Sequence, residues 1–248
     1  LITNSEENGE AYKASPFLLR KMRTPFIEMS YNRTETDGSD LGIKIYSGPE
    51  IISRFYNIFQ GGFLFPCQVE TSIEDLLSRQ LGLKPEFVQE KINTVFLDGS
   101  CVDDISSATL KDGSVVAFSS ALPGLAGATL RRGGHYACMR DSITHVNKNR
   151  PDVRREGHIT IKLFNLLMAE LGRVFLEKGI VLNRHDAMEL LQQDNEEIRM
   201  QGDRVFTGER PLSRKRIVEE ISLIENSRIL VRVVMNSKTG TENSPSAG

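Results

Sequence analysis

Apolar and polar positions alternate with two periods along this chain, and the switches between them mark its elements. Gly42-Ile43-Lys44-Ile45-Tyr46 alternates as a strand with Ile43 and Ile45 on one face. Pro49 then opens a helical stretch in which Ile51, Ile52, Phe55, Tyr56 and Phe59 recur every three or four residues, and Gly61-Gly62 ends it. Phe63, Leu64, Phe65 and Val69 predict a second strand. Pro66 inside it withholds an N–H and points to an edge or a bulge. Ser72-Ile73-Glu74-Asp75-Leu76-Leu77 supplies a hydroxyl cap, first-turn acids and one apolar face, the start of a second helix. Val95-Phe96-Leu97 runs into Asp98-Gly99, and Lys111-Asp112-Gly113 feeds Ser114-Val115-Val116-Ala117-Phe118. Asp-Gly tolerates positive φ, so two further strands bounded by tight turns are expected. A glycine-rich stretch, Pro123 to Gly134, follows.

The same order returns further along. Ile159-Thr160-Ile161 corresponds to Ile43-Lys44-Ile45, and Gly179 follows Ile159 by 20 positions where Gly62 follows Ile43 by 19. Asp186-Ala187-Met188-Glu189-Leu190-Leu191 matches the Ser72 stretch, with Asp186 in the capping place. Arg204-Val205-Phe206-Thr207-Gly208 matches Thr94 to Gly99, and Glu225-Asn226-Ser227 turns into Ile229 to Val234. Such repetition predicts a duplicated unit. Two cores are expected: Ile43, Ile45, Leu76, Leu77, Val95, Val115 and Phe118 in one, and Ile159, Ile161, Leu190, Leu191, Val205, Ile229 and Val231 in the other. The corresponding organisation is an N-terminal extension over 1–41, a first domain over 42–134, a basic linker over 135–157, a second domain over 158–236 and a polar tail over 237–248. Within the extension, residues 1–14 are patternless, 16–22 suit a turn of helix and 26–31 alternate as a strand would.

Composition narrows the function. With 39% hydrophobic and 26% charged residues in 248 and a formal charge of -2, the chain resembles a soluble globular protein without a global pull toward nucleic acid or acidic lipid. No apolar run approaches the roughly 20 residues of a membrane span, and the beginning lacks the basic-then-apolar order of a secretory signal. A cytoplasmic location is expected. Cys67, Cys101 and Cys138 are odd in number and far apart, which fits reduced thiols, with Cys67 and Cys101 beside strands as small hydrophobes. Between Arg131 and Glu156 seven basic residues face three acids. Only Tyr136 interleaves with them, so a solvated connector is expected rather than a nucleic-acid site. His135, Cys138 and His145 have loose zinc-ligand spacing. They lack a fourth donor unless Cys67, Cys101, His158 or His185 folds back, and no metal or cofactor is predicted. Arg154-Arg155 and Arg214-Lys215-Arg216 suit solvated faces. Nucleophile-elbow, zinc-protease and phosphate-loop signatures are all missing, so catalysis by this chain is not expected.

Over Ile43 to Phe118 the succession IKIY, PEIISRFYNIF, FLFPCQVE, TSIEDLLSRQLGL, TVFLDG and LKDGSVVAF resembles the ubiquitin-like β-grasp sulfur carriers of ThiS/MoaD type. The resemblance implies an α+β fold, here in two tandem β-grasp copies. It also implies a carrier whose diglycine end is adenylated by an ATP-dependent activating enzyme and converted to a thiocarboxylate, or a related adaptor. Glycine suits such an end because a narrow channel has no room for a β-carbon. Candidate carrier glycines are Gly133 and Gly134, Gly124 and Gly127 nearer the closing strand, and Gly248, which is preceded by Ala247. Arg131 and Arg132 are candidate partner contacts. The expectation is therefore a non-enzymatic protein acting through protein contacts, with an activating or a sulfur-transfer enzyme as partner and no membrane association. The alternatives are a carrier whose Gly-Gly end is exposed by processing, and an RNA-associated module using the basic linker.

Overall fold

A computed structural model describes residues 41–120, 124–133, 153–192, 204–207, 210–223 and 228–235, all within the compact unit Gly38–Gly248. Residues 1–40 of the extension expected over 1–41, His135, Cys138 and His145, Gly134, and Gly248 with its tail lie outside the described residues.

The chain enters on β1 (Leu41–Ser47), then a 3-10 stretch (Pro49–Phe55) that continues as α1 (Tyr56–Gly61), and β2 (Phe63–Val69). After β3 (Thr71–Ser72), α2 (Ile73–Asp75) widens into a π-helical turn (Leu76–Gln80) and α3 (Pro85–Lys91) follows. β4 (Thr94–Leu97), β5 (Ser100–Cys101), β6 (Thr109–Leu110), β7 (Val115–Ser119) and α4 (Gly124–Leu130) complete the first half. The second half holds β8 (Arg155–Phe164), α5 (Leu167–Lys178), β9 (Ile180–Leu182), α6 (Arg184–Gln192), β10 (Arg204–Thr207), β11 (Arg210–Leu212), α7 (Arg214–Leu223) and β12 (Ile229–Met235). The fold is α+β, built on a large mixed sheet.

That sheet carries ten strands in the order β11-β10-β1-β12-β9-β2-β8-β7-β4-β5, beside a small β3-β6 pair. β8, from the second half, stands between β2 and β7 of the first. It runs antiparallel to β2 over seven residue pairs and parallel to β7 over five. Reciprocally, β1 stands between β10 and β12, parallel to β12 over seven pairs. Each half thus takes in the other's leading strand, but at different places: β8 lies between β2 and β7, whereas β9 and β12 pair directly and β1 lies beyond them, between β12 and β10. The seam is narrow: β9 meets β2 only at Leu64↔Val181.

The expectation of two cores gives way to one. Ile43, Leu77 and Phe118 belong to the same buried cluster as Ile159, Leu191 and Val231, because each leading strand brings its apolar face into the other half. Val205 packs only partly buried against that cluster. Val115 is 37% exposed and faces away from it, a correction to its predicted core place, since the neighbouring Val116 takes the inward face.

Local chemistry explains the turns. Asp98 (φ 49°) and Gly99 (φ 83°) make the two-residue turn between β4 and β5, as an Asp-Gly pair favours. Gly62 and Gly179 end α1 and α5 with almost the same backbone, φ 110° and ψ 139° against φ 108° and ψ 131°, and each N–H returns to the carbonyl four residues back at 2.8 Å. Those are the two glycines that the repeat aligned. Pro66 corrects another expectation, for β2 is an inner strand. The Gln68 N–H donates to Gln80 Oε1 (2.9 Å) and the Gln80 amide donates back to the Gln68 carbonyl (3.1 Å), so at this parity β2 turns its N–H groups away from β8. Pro66 shares the parity. The missing N–H therefore falls on the side that β9 does not reach.

Candidate functional site

One face of the sheet is committed to the core, and the alternation of each strand sends the intervening residues to the other face. The registers align these residues across strands. Leu230 lies opposite Val181, Val181 opposite Leu64, Leu64 opposite Thr160 and Thr160 opposite Val115, giving one row across β12, β9, β2, β8 and β7. Val181 is 5% exposed beneath its neighbours, Leu230, Leu64 and Thr160 are half-buried, and Val115 is open. Two further sets border the row. Phe206, Lys44 and Arg232 align on one side, with Pro66 opposite His158 two positions from Leu64 and Thr160. Lys162, Ala117, Phe96 and Cys101 align on the other.

Several of these groups are held in place. Tyr46 and Phe206 meet edge to face with ring centroids 5.1 Å apart. Arg232 Nη2 donates to the Lys178 carbonyl at 3.1 Å. Gly62 makes room for its neighbours: a β-carbon there would come within 3.0 Å of Thr160 Cγ2 and 3.2 Å of Lys162 Cε. The β7–β8 end is closed by charge. The His158 N–H donates to Asp112 Oδ1 (2.8 Å), which is the main reason the Asp112 carboxyl sits below its usual range, with Arg155 adding to the effect. Arg155 reaches Glu70 at 3.8 Å and Asp112 at 3.9 Å, and Arg154 reaches Asp75 at 3.5 Å. Residues expected on a merely solvated face therefore tie the leading end of β8 to the first half.

A second feature is a cleft of about 340 Å³ between the end of α1 and the start of α6, lined by Arg54, Asn57, Gly62, Asn183, Asp186 and Glu189 among others. Arg54 is 8% exposed and donates to the Leu190 carbonyl at 3.4 Å. At its rim, the ligand atoms of His185, Asp186 and Glu189 lie within 4.8 Å of one another, a spacing that could hold a divalent cation. Asp186 is partly engaged already, accepting from Asn183 Nδ2 at 2.8 Å.

The predicted carrier glycines fare differently. Gly124 opens α4 at φ 73°, and Gly127 is buried within that helix. A helix replaces the extended tail. Gly133 lies exposed in the turn beyond, its N–H donating to Asp103 Oδ1 at 3.2 Å. Arg131 is exposed. Arg132 is half-buried, its N–H bonded to the Asn93 carbonyl (2.7 Å) and Nη2 to the Val88 carbonyl (3.1 Å), and burial lowers its pKa against the pull of Asp103 and Glu74. It anchors the end of α4. Cys67 and Cys101 are both buried, as the sequence suggested.

Sequence reasoning missed the second face altogether. The alternation at Leu64, Thr160 and Val115 was visible, but only the strand order puts them in one row. No protein-family model, curated protein or solved structure matches this chain.

Proposed function

We propose that this chain is a non-enzymatic, ubiquitin-like cytoplasmic protein that works through protein contacts made on the second face of its sheet. The observation that carries this reading is the row Leu230, Val181, Leu64, Thr160 and Val115, with Ala117 and Phe96 beside it. Much of this face alternates polar-out as a water-facing sheet does, with β8 placing Glu156, His158, Thr160 and Lys162 on it; the departure is the single row in which Leu230, Val181, Leu64 and Val115 replace polar residues. The row is open at Val115 and half-buried at Leu64 and Leu230, and apolar groups grouped on a sheet face in this way suit a contact site. The β-grasp likeness enters in modified form, as two ubiquitin-like units, each of which takes in the other's leading strand. The partners it suggests are an activating enzyme or a sulfur-transfer enzyme. Residues 41–192 contain no helix long and apolar enough to cross a membrane among those described, and neither do the later described segments.

The test is affinity capture from native extract with the wild-type chain and with Leu64→Glu and Val115→Glu, each first shown to be folded by circular dichroism. Proteins retained by the wild type and lost by both variants are the expected result. Retention by all three forms, or nothing retained by any, overturns the proposal.

A further inference from the structure

Resting on that assignment of the second face, we propose that its occupant is an acidic amphipathic helix of a protein partner. The apolar row crosses five strands, and at about 4.8 Å per strand it is roughly 19 Å long, the length of about thirteen helical residues. Lys44 lies two residues along the strand to one side of it and Lys162 two residues to the other, so each cation stands about 7 Å from the row's axis. That distance suits the flank of a helix packed on the row. Arg232 and His158 fall on the same side as Lys44. Phe206, Lys44, Arg232, Pro66 and His158 on one side and Lys162, Ala117 and Phe96 on the other contribute no carboxylate side chain of their own; the nearest are Asp98 and Asp112 at the β7 end, occupied by the Val115 N–H (2.7 Å) and the His158 N–H (2.8 Å). Glu156, opposite Gln68, marks where this stretch ends.

The local sign opposes the whole chain, whose formal charge is -2. Cations on both sides of a mainly aliphatic row complement a helix with apolar residues at three- and four-residue spacing and acids on both flanks. Single-stranded RNA would use the same cations but stacks its bases on aromatic faces. The row itself offers Leu, Val, Leu, Thr and Val, with aromatic rings only beyond it: Tyr46 and Phe206 on one side, turned edge to face against each other, and Phe96 on the other.

Panning a random peptide library against the full chain tests this. Enriched peptides are then titrated against the wild type, Lys44→Glu, Lys162→Glu and Leu64→Glu, with an oligo-uridine RNA run alongside. Enriched sequences should be acidic with helical apolar spacing. Their affinity should fall with salt and drop about tenfold for each reversed lysine. Peptides that depend on Leu64 but are uncharged or basic, or that ignore both lysine reversals, overturn the acidic occupant while leaving the contact surface intact. Enrichment indifferent to Leu64→Glu, no enrichment, or binding of the RNA in place of peptides overturns both.

Discussion

At the scale of single residues, neighbours decide chemistry that residue type only suggests. Cys67 is 5% exposed on β2, and burial, aided by the Asp112 charge, pushes its thiol from 9.0 up to about 12. It should resist thiol reagents at pH 8 in the native protein and react once the chain is unfolded, as titration with a chromogenic disulfide would record. The folded thiol keeps its proton where the unfolded one has lost it, so its stabilising effect is complete below about pH 9 and is lost between about 9 and about 12. Comparing urea unfolding of wild type and Cys67→Ala over that window should show the wild type falling more steeply, by about 1 kcal/mol per pH unit. Gly172 on α5 is a second case: a β-carbon there would run into the fully buried Phe59 ring. Gly172→Ala should cost about 1–3 kcal/mol by equilibrium unfolding, although alanine is the better helix former. Cysteine burial was legible from its place beside strands. Nothing in the sequence links Gly172 to Phe59, because that contact follows from how α5 crosses the first half's helix.

Among the elements, boundaries set by one turn residue were legible and those set by partners were not. Ser72 caps α2 as its sequence pattern implied, accepting from the Asp75 N–H at 3.1 Å. Ser72→Ala should therefore lower stability by about 1 kcal/mol in thermal or urea unfolding, and Ser72→Asp should recover most of it. The second half looked alike at Asp186, but the capping oxygen comes from Asn183, whose Oδ1 accepts from the Asp186 N–H at 2.8 Å. That helix begins a turn earlier than its sequence counterpart suggested. β8 also starts earlier, at Arg155, because β2 and the Asp112 and Glu70 carboxylates extend the ladder beyond the apolar Ile159 to Ile161. Glycine content misled at 124–130. Gly124 and Gly127 were candidate carrier glycines, and a helix forms there whose following turn is fastened through Arg132 to Asn93 and Val88.

For the whole molecule, the alternation of the strands was legible while their order was not, since separate and shared sheets bury the same alternating residues. What distinguishes them is strand order: β8 fills a seven-residue ladder with β2 and a five-residue ladder with β7, and β1 is inserted in the second half between β12 and β10. Two consequences separate this topology from two independent domains. With one cluster holding both sets of core residues, Leu77→Ala and Leu191→Ala should each shift the same single unfolding transition, by about 2–5 kcal/mol. Two transitions moving separately in differential scanning calorimetry would contradict the shared core. The sharper consequence concerns cleavage between the halves. A specific protease site placed between Gly134 and Asp152 would cut the covalent connection, but β8 would remain wedged between β2 and β7, and β1 between β10 and β12. Release would require stripping both leading strands out of the sheet and exposing Ile43, Ile45, Ile159 and Ile161, all at most 2% exposed. The nicked chain should therefore elute in size exclusion at the position of the intact 27.8 kDa protein and resolve into two fragments only in denaturant. A cut after Gly134 would create a glycine carboxylate on a body that stays whole, so processing would not free a small carrier. Separation of the fragments in native buffer would refute this strand order and return the halves to independent domains.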